Sequence, residues 1–119
     1  MAAALSIDIL FDAAIKIQLL HERSIQISFT EDGVHIKFPT TRRLAEFLDV
    51  PHYYVLPYFA MMEQESLVIR AERVGILTTK EGTEKFLKMI DRHYHNDAEH
   101  LLGTALFEDI LDTIRKEGR

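Results

Sequence analysis

Apolar positions along this chain change spacing several times, and the changes divide it into elements. Over 4–22, Ile7, Leu10, Phe11, Ala14, Ile15, Gln18 and Leu19 share one face of a helix. Leu5, Ile9, Ala13, Ile17 and Leu20 nearly make a second face. A helix apolar on most of its circumference has to be buried on most of it. Either its own domain wraps it or a second copy of the chain covers one face. Over 24–38 the period drops to two. Ile25, Ile27 and Phe29 alternate with Ser24, Gln26 and Ser28, and Val34, Ile36 and Phe38 alternate with His35 and Lys37. Thr30-Glu31-Asp32-Gly33 between them is a turn, which predicts a β-hairpin wet on one face.

The stretch from Thr41 to Gly82 organises the rest. Leu44, Ala45 and Leu48 are spaced for a helix that Thr41 would cap and Asp49-Val50-Pro51 would end. Val55, Phe59 and Met62 recur at four and three residues, the inner face of a second helix over 51–65 that stops at Ser66. Leu67–Arg70 and Val74–Thr78 read as paired strands around the tip Ala71-Glu72-Arg73. Thr78-Thr79-Lys80-Glu81 has the spacing of a capping box and opens a helix over 79–93 with Phe86, Leu87 and Ile90 inward. Asn96-Asp97-Ala98-Glu99 looks like another cap. It leads a stripe through Leu101, Leu102, Ala105, Leu106, Ile110, Leu111 and Ile114, so two helices are expected in the last third. The tail 115–119 is expected to fray.

Taken together, Leu44-Ala45 to Val50, Val55 to Glu63, Leu67-Val68, Arg73 to Gly75, and Leu77 to Gly82 resemble a winged helix-turn-helix domain of the MarR-like and PadR-like regulators. One residue after Thr78 is extra, and the match covers a little over a third of the chain. The resemblance implies an α+β, mainly helical fold forming a single domain over 1–119. An N-terminal helix and hairpin (1–38) would precede the helix-turn-helix and wing (39–83), with C-terminal helices following (84–119). It further implies a homodimer joined through 4–22 and 97–115. Helix 51–65 and wing 70–75 would face duplex DNA in a transcriptional regulator. Departures from the pattern bear on that function. A full hairpin stands at 24–38, Asp49 replaces a small turn residue, Pro57 falls inside the reading helix, and no Lys or Arg occurs between Arg43 and Arg70.

Composition adjusts this picture. The chain has 119 residues, enough for one domain with a core and too few for two. Hydrophobic content of 47% and charged content of 28% are ordinary for a globular protein. There is no Cys, which excludes disulfides and thiolate metal sites. Met1–Asp8 carries no basic leader, and Asp8 and Asp12 interrupt the apolar run. Neither a signal peptide nor a membrane span is expected, and the expected location is the cytoplasm. The net charge of −5 runs against nucleic-acid affinity, which rests on Lys and Arg at phosphates.

Candidate chemistry is sparse. Arg42, Arg43, Arg70, Arg73 and Lys80 are candidates for a basic rim around helix 51–65, or for an ordinary solvated surface. His52, Tyr53 and Tyr54 start that helix and are candidate groove or phosphate contacts. Tyr58 and Phe59 read as core. The outward set of His52, Tyr53, Leu56, Pro57 and Ala60 suits a protein partner as well as DNA. The alternative function is therefore a winged-helix protein-interaction module that does not bind DNA. His93, His95 and His100, with Asp97 and Glu99, are a weak zinc or nickel site, or a polar corner between helices. No phosphate-cradling glycine loop, G-x-S-x-G or thiol nucleophile is present, so neither an enzyme nor a cofactor is expected.

Overall fold

The computed structural model describes residues 4–117. Helix α1 (Ile7–Ile15) is capped by Ser6, whose side chain accepts from the Ile9 N–H. It continues without a break as a π-helical stretch, Lys16–Glu22, closed by Arg23 in the left-handed region at φ 53°. Then come β1 (Ile27–Thr30), β2 (Gly33–Phe38), α2 (Thr41–Leu48), α3 (His52–Gln64), β3 (Val68–Ala71), β4 (Gly75–Thr78), α4 (Lys80–His93), α5 (His95–Leu102) and α6 (Thr104–Glu117). The fold is mainly helical α+β, with an open antiparallel sheet in the order β1-β2-β4-β3. Its β2-β4-β3 part, beside α3, which packs on α2, is compatible with a winged helix.

The core grows around α1. Leu10, Phe11, Ala14, Ile15 and Ile17 are fully buried, and α1 with its π continuation touches α2, α3, α4 and α5. Phe11, Phe38 and Phe86 form an aromatic cluster with centroids 5.2 to 6.4 Å apart. The nearly all-round apolar pattern of 4–22 is thus covered by the chain itself. Among its large apolar side chains only Leu20, at 40%, stays exposed.

The sheet is locked to α4 by buried hydroxyls. Thr78 Oγ1 accepts from the Ile36 N–H at 2.8 Å and lies 2.6 Å from Thr83 Oγ1, which is itself 2.6 Å from the Val34 carbonyl. Thr78 therefore cannot serve as the expected cap. Thr79 caps α4 by accepting from the Gly82 N–H, and with Gly82 in the third helical position the capping box does not form. Gly82 is where α4 meets the strand entry. A Cβ there would stand 1.8 Å from the Leu67 carbonyl oxygen.

Other ends also differ from the sequence expectation. Thr40, not Thr41, caps α2, accepting from the Arg43 N–H at 3.1 Å. Residues 4–6 precede α1 instead of belonging to it. Pro57 lies inside α3, as the sequence implies, and the helix begins before it at His52. The last third holds three helices, because Gly103, at φ 84°, breaks the stripe between Leu102 and Thr104. The expected cap at Asn96 is absent: α5 starts at His95 with no side-chain cap, so Asn96 and Glu99 lie inside it. Phe107, outside the predicted stripe, is fully buried, whereas Ala105 and Leu106 are exposed. Of the tail expected to fray, 115–117 belongs to α6, and 118–119 lies outside the described residues. Among the described residues, no helix is long and apolar enough to cross a membrane.

Candidate functional site

Helices α2 and α3 meet at a tight corner. Asp49 takes the left-handed conformation at φ 56°, its N–H bonds the Glu46 carbonyl and the Val50 N–H bonds the Ala45 carbonyl. This is a Schellman closure, in which those two carbonyls find donors while the chain reverses. Asp tolerates the left-handed region better than most side chains, which explains its place where glycine is common. Thr41 Oγ1 lies 2.7 Å from His52 Nε2 and ties the first turn of α2 to the first turn of α3. His52 is thus an internal pin, half-buried, instead of an outward contact.

From that pin α3 buries Val55, Phe59 and Met62 and turns Tyr53, Leu56, Pro57, Ala60 and Met61 to solvent. Tyr53 is 64% exposed and Tyr54 46%, with their rings edge to face at 4.7 Å. The Tyr53 hydroxyl donating to Tyr54 raises its phenol above the ordinary value, so it remains a neutral hydroxyl. Tyr58 is half-buried against the core. Among the described residues, six of the nine exposed large apolar side chains, Tyr53, Tyr54, Leu56, Met61, Ile69 and Val74, belong to α3 or the β3–β4 hairpin.

The candidate cations do not converge. Arg42 is exposed at the start of α2, beside the Thr41–His52 pin. Arg73 sits at the hairpin tip, left-handed at φ 66°. Lys80 follows Thr79, whose N–H bonds the Leu67 carbonyl just past the other end of α3. A helix of 13 residues spans about 20 Å, so Arg42 and Lys80 mark opposite ends of it. Arg70 is already engaged. Its guanidinium lies 4.9 Å over the Phe59 ring and 3.5 Å from the Glu63 carboxylate. Among the described residues, Arg42, Arg43, Arg73 and Lys80 form no ion pair, but Glu46, Asp49, Glu65, Glu72 and Glu81 are exposed nearby in the chain.

The histidine group does not assemble as a metal site. Asp91 and Glu99 hold His95 from both sides, at 2.8 Å to Nδ1 and 3.2 Å to Nε2, while His93 and His100 are exposed. No cluster of metal-holding side chains is present among the described residues. The hydrogen bond to Asp91 raises the His95 imidazole above its ordinary value, with desolvation opposing and Glu99, Asp91 and Glu108 reinforcing. Tyr94 donates to Asp12 and ties this corner to α1, and burial, then Asp12, push its phenol upward.

A second concave region was missed from the sequence. Gln18, Glu22, Ser24, Gln26, Lys37, Phe38, Pro39, Thr40 and Arg43 line a cavity of about 310 Å³ between the π-helical stretch, the β1–β2 hairpin and the start of α2. The signal was Gln18, a polar residue on an otherwise apolar stripe. Arg43, one of the candidate DNA contacts, is half-buried in this wall. No protein-family model, curated protein or solved structure matches this chain.

Proposed function

We propose that the chain is a winged-helix transcriptional regulator that binds duplex DNA as a homodimer, with α3 and the β3–β4 hairpin toward the duplex. The supporting observation is the placement of α3. Its inner face is closed on the core and its outer face is bare. Exposed cations that form no ion pair among the described residues stand at its start (Arg42), on the hairpin tip (Arg73) and past its end (Lys80). In this reading the three cations and the Tyr53 and Tyr54 hydroxyls take phosphates, and Leu56 and Met61 meet thymine methyls. A second copy joined through 97–115, where Ala105 and Leu106 are exposed, presents the second α3 to the next half-site, about 34 Å away.

With a net charge of −5, attraction rests on those few contacts alone. Six phosphate contacts per dimer give micromolar affinity at 50 mM salt that falls by about a thousandfold at 200 mM. Fluorescence anisotropy of a labelled random duplex across that salt range tests this. No binding at 50 mM overturns it.

One observation favours a second reading, a module that docks on an apolar protein surface and does not touch DNA. α3 itself carries no Lys or Arg, and Arg70 is tied to Glu63. Salt-insensitive behaviour with no duplex bound supports that reading.

A further inference from the structure

We propose that the outer edge of β1 is an interface between two copies of this chain, paired strand to strand about a two-fold axis at Ile27. In the sheet order β1-β2-β4-β3, the strands β1 and β3 are the two edges. An edge strand presents unpaired N–H and C=O groups, and folded proteins usually blunt it with charge, Pro or a bulge. β3 is blunted in this way, since Arg70 lies within it and Glu72 and Arg73 follow at the tip. β1 is not. From Ser24 to Thr30 the chain reads Ser-Ile-Gln-Ile-Ser-Phe-Thr, with no charge and no Pro. It pairs with β2 in unbroken register, from Ile27 opposite Ile36 to Thr30 opposite Gly33, so no bulge turns the edge away.

The register also fixes which backbone groups are free. The Lys37 N–H donates to the Gln26 carbonyl at 3.0 Å, so Gln26, Ser28 and Thr30 turn their backbone groups toward β2. Ile25, Ile27 and Phe29 turn theirs outward, and among the described residues no backbone group from elsewhere in the chain bonds them. The side chains of Ile27 and Phe29 share a face with Ile36 and Val34, their buried cross-strand partners. The apolar face of the sheet therefore runs on past its cover: Ile25 and Ile27 are half-buried, and Phe29 is 65% exposed.

A second copy is the occupant this edge fits. Antiparallel pairing about Ile27 places that residue opposite itself, Ile25 opposite Phe29, and Gln26 opposite Ser28. Apolar side chains meet on one face and neutral polar ones on the other. One step further out, the same register brings Arg23 of each copy to Glu31 of the other. Both are exposed, and neither makes an ion pair among the described residues. An axis at Ser28 would instead oppose Ile25 to Glu31, and an axis at Gln26 would oppose Phe29 to Arg23. The pattern of this strand thus matches itself in one register.

This inference rests neither on what α3 contacts nor on residues 97–115, and a crosslink at β1 reads this edge alone. The chain has no Cys, so one introduced thiol reports one place. Across the axis the two Ile27 Cα atoms stand about 5.5 Å apart, within the span of a disulfide. The two Thr30 Cα atoms stand about 20 Å apart, far outside it. Under mild oxidation the full chain carrying Ile27→Cys should form a covalent dimer, and the Thr30→Cys variant should not. If Ile27→Cys melts well below the parent, a mixture of Gln26→Cys and Ser28→Cys reads the same register, because those positions face each other. Analytical ultracentrifugation of the parent should show self-association with a dissociation constant below about 100 μM. Phe29→Lys, a charge on the edge at an exposed position, should weaken it roughly tenfold or more with the circular dichroism spectrum unchanged. A monomeric parent, equal association by Phe29→Lys, or crosslinking of Ile27→Cys no faster than of Thr30→Cys would each overturn the proposal.

Discussion

The first helix and α3 are both rich in apolar side chains, yet the fold treats them oppositely. Over Ile7–Glu22 the inner set and most of the second face are covered by α2, α3, α4, α5 and the sheet. Over His52–Gln64 only Val55, Phe59 and Met62 are buried, while Tyr53, Tyr54, Leu56 and Met61 stay 40% to 64% exposed. Hydrophobicity alone does not separate the two. Position does: the first helix runs through the middle of the molecule, and α3 is an outer layer. An apolar face that folding does not use is the natural place for a binding event, and its side chains should affect binding more than stability.

The largest effect expected from breaking this contrast is in the first helix. Phe11→Ala removes the centre of the Phe11–Phe38–Phe86 cluster and should cost about 3–5 kcal/mol in urea unfolding. A loss below about 1 kcal/mol would mean that this helix is not the core. Next comes the joint between the outer layer and α4. Gly82→Ala drives a methyl into the Leu67 carbonyl, a backbone atom that cannot step aside. It should cost about 1–3 kcal/mol, comparable to overpacking a core. Leu56→Ser and Met61→Ser, on the bare side of α3, should each change stability by no more than about 0.5 kcal/mol. A larger loss would show that this face packs in the native protein.

The smallest effect is a pH dependence at the far corner. His95 gains Asp91 and Glu99 on folding, so its folded imidazole sits above its unfolded value. The contribution is therefore fully present below the unfolded value, about 6.5, and fades as pH rises through the folded one. Thermal melts of the parent and His95→Gln between pH 5 and 9 should differ at the acid end and converge at the alkaline end. Parallel curves would contradict the pairing.

Much of this layout was readable in the chain because it rests on spacing. The alternation in 24–38, the inner faces of α2 and α3, and the β3–β4 pairing of Val68 with Thr78 and Arg70 with Ile76 all follow from side-chain periodicity. What spacing could not show depends on neighbours distant in sequence. Thr78 has the right offset from Glu81 for a cap, but its hydroxyl is claimed by Ile36, 42 residues away. The stripe 98–114 runs on through the break because Gly103 interrupts the backbone, not the apolar pattern. His52 looked like a surface group until Thr41 was folded against it. The Gln18 cavity draws on residues 18–26 and 37–43, which no local pattern connects.

The most direct test of the claim that the outer face of α3 serves binding and not folding is one comparison. Duplex-DNA anisotropy at 50 mM salt would be measured for the parent and for the Tyr53→Ala/Leu56→Ser double variant. The account predicts micromolar binding by the parent and a loss of roughly tenfold or more in a variant that melts like the parent. Equal affinity in the two proteins, or no binding by either, would contradict it.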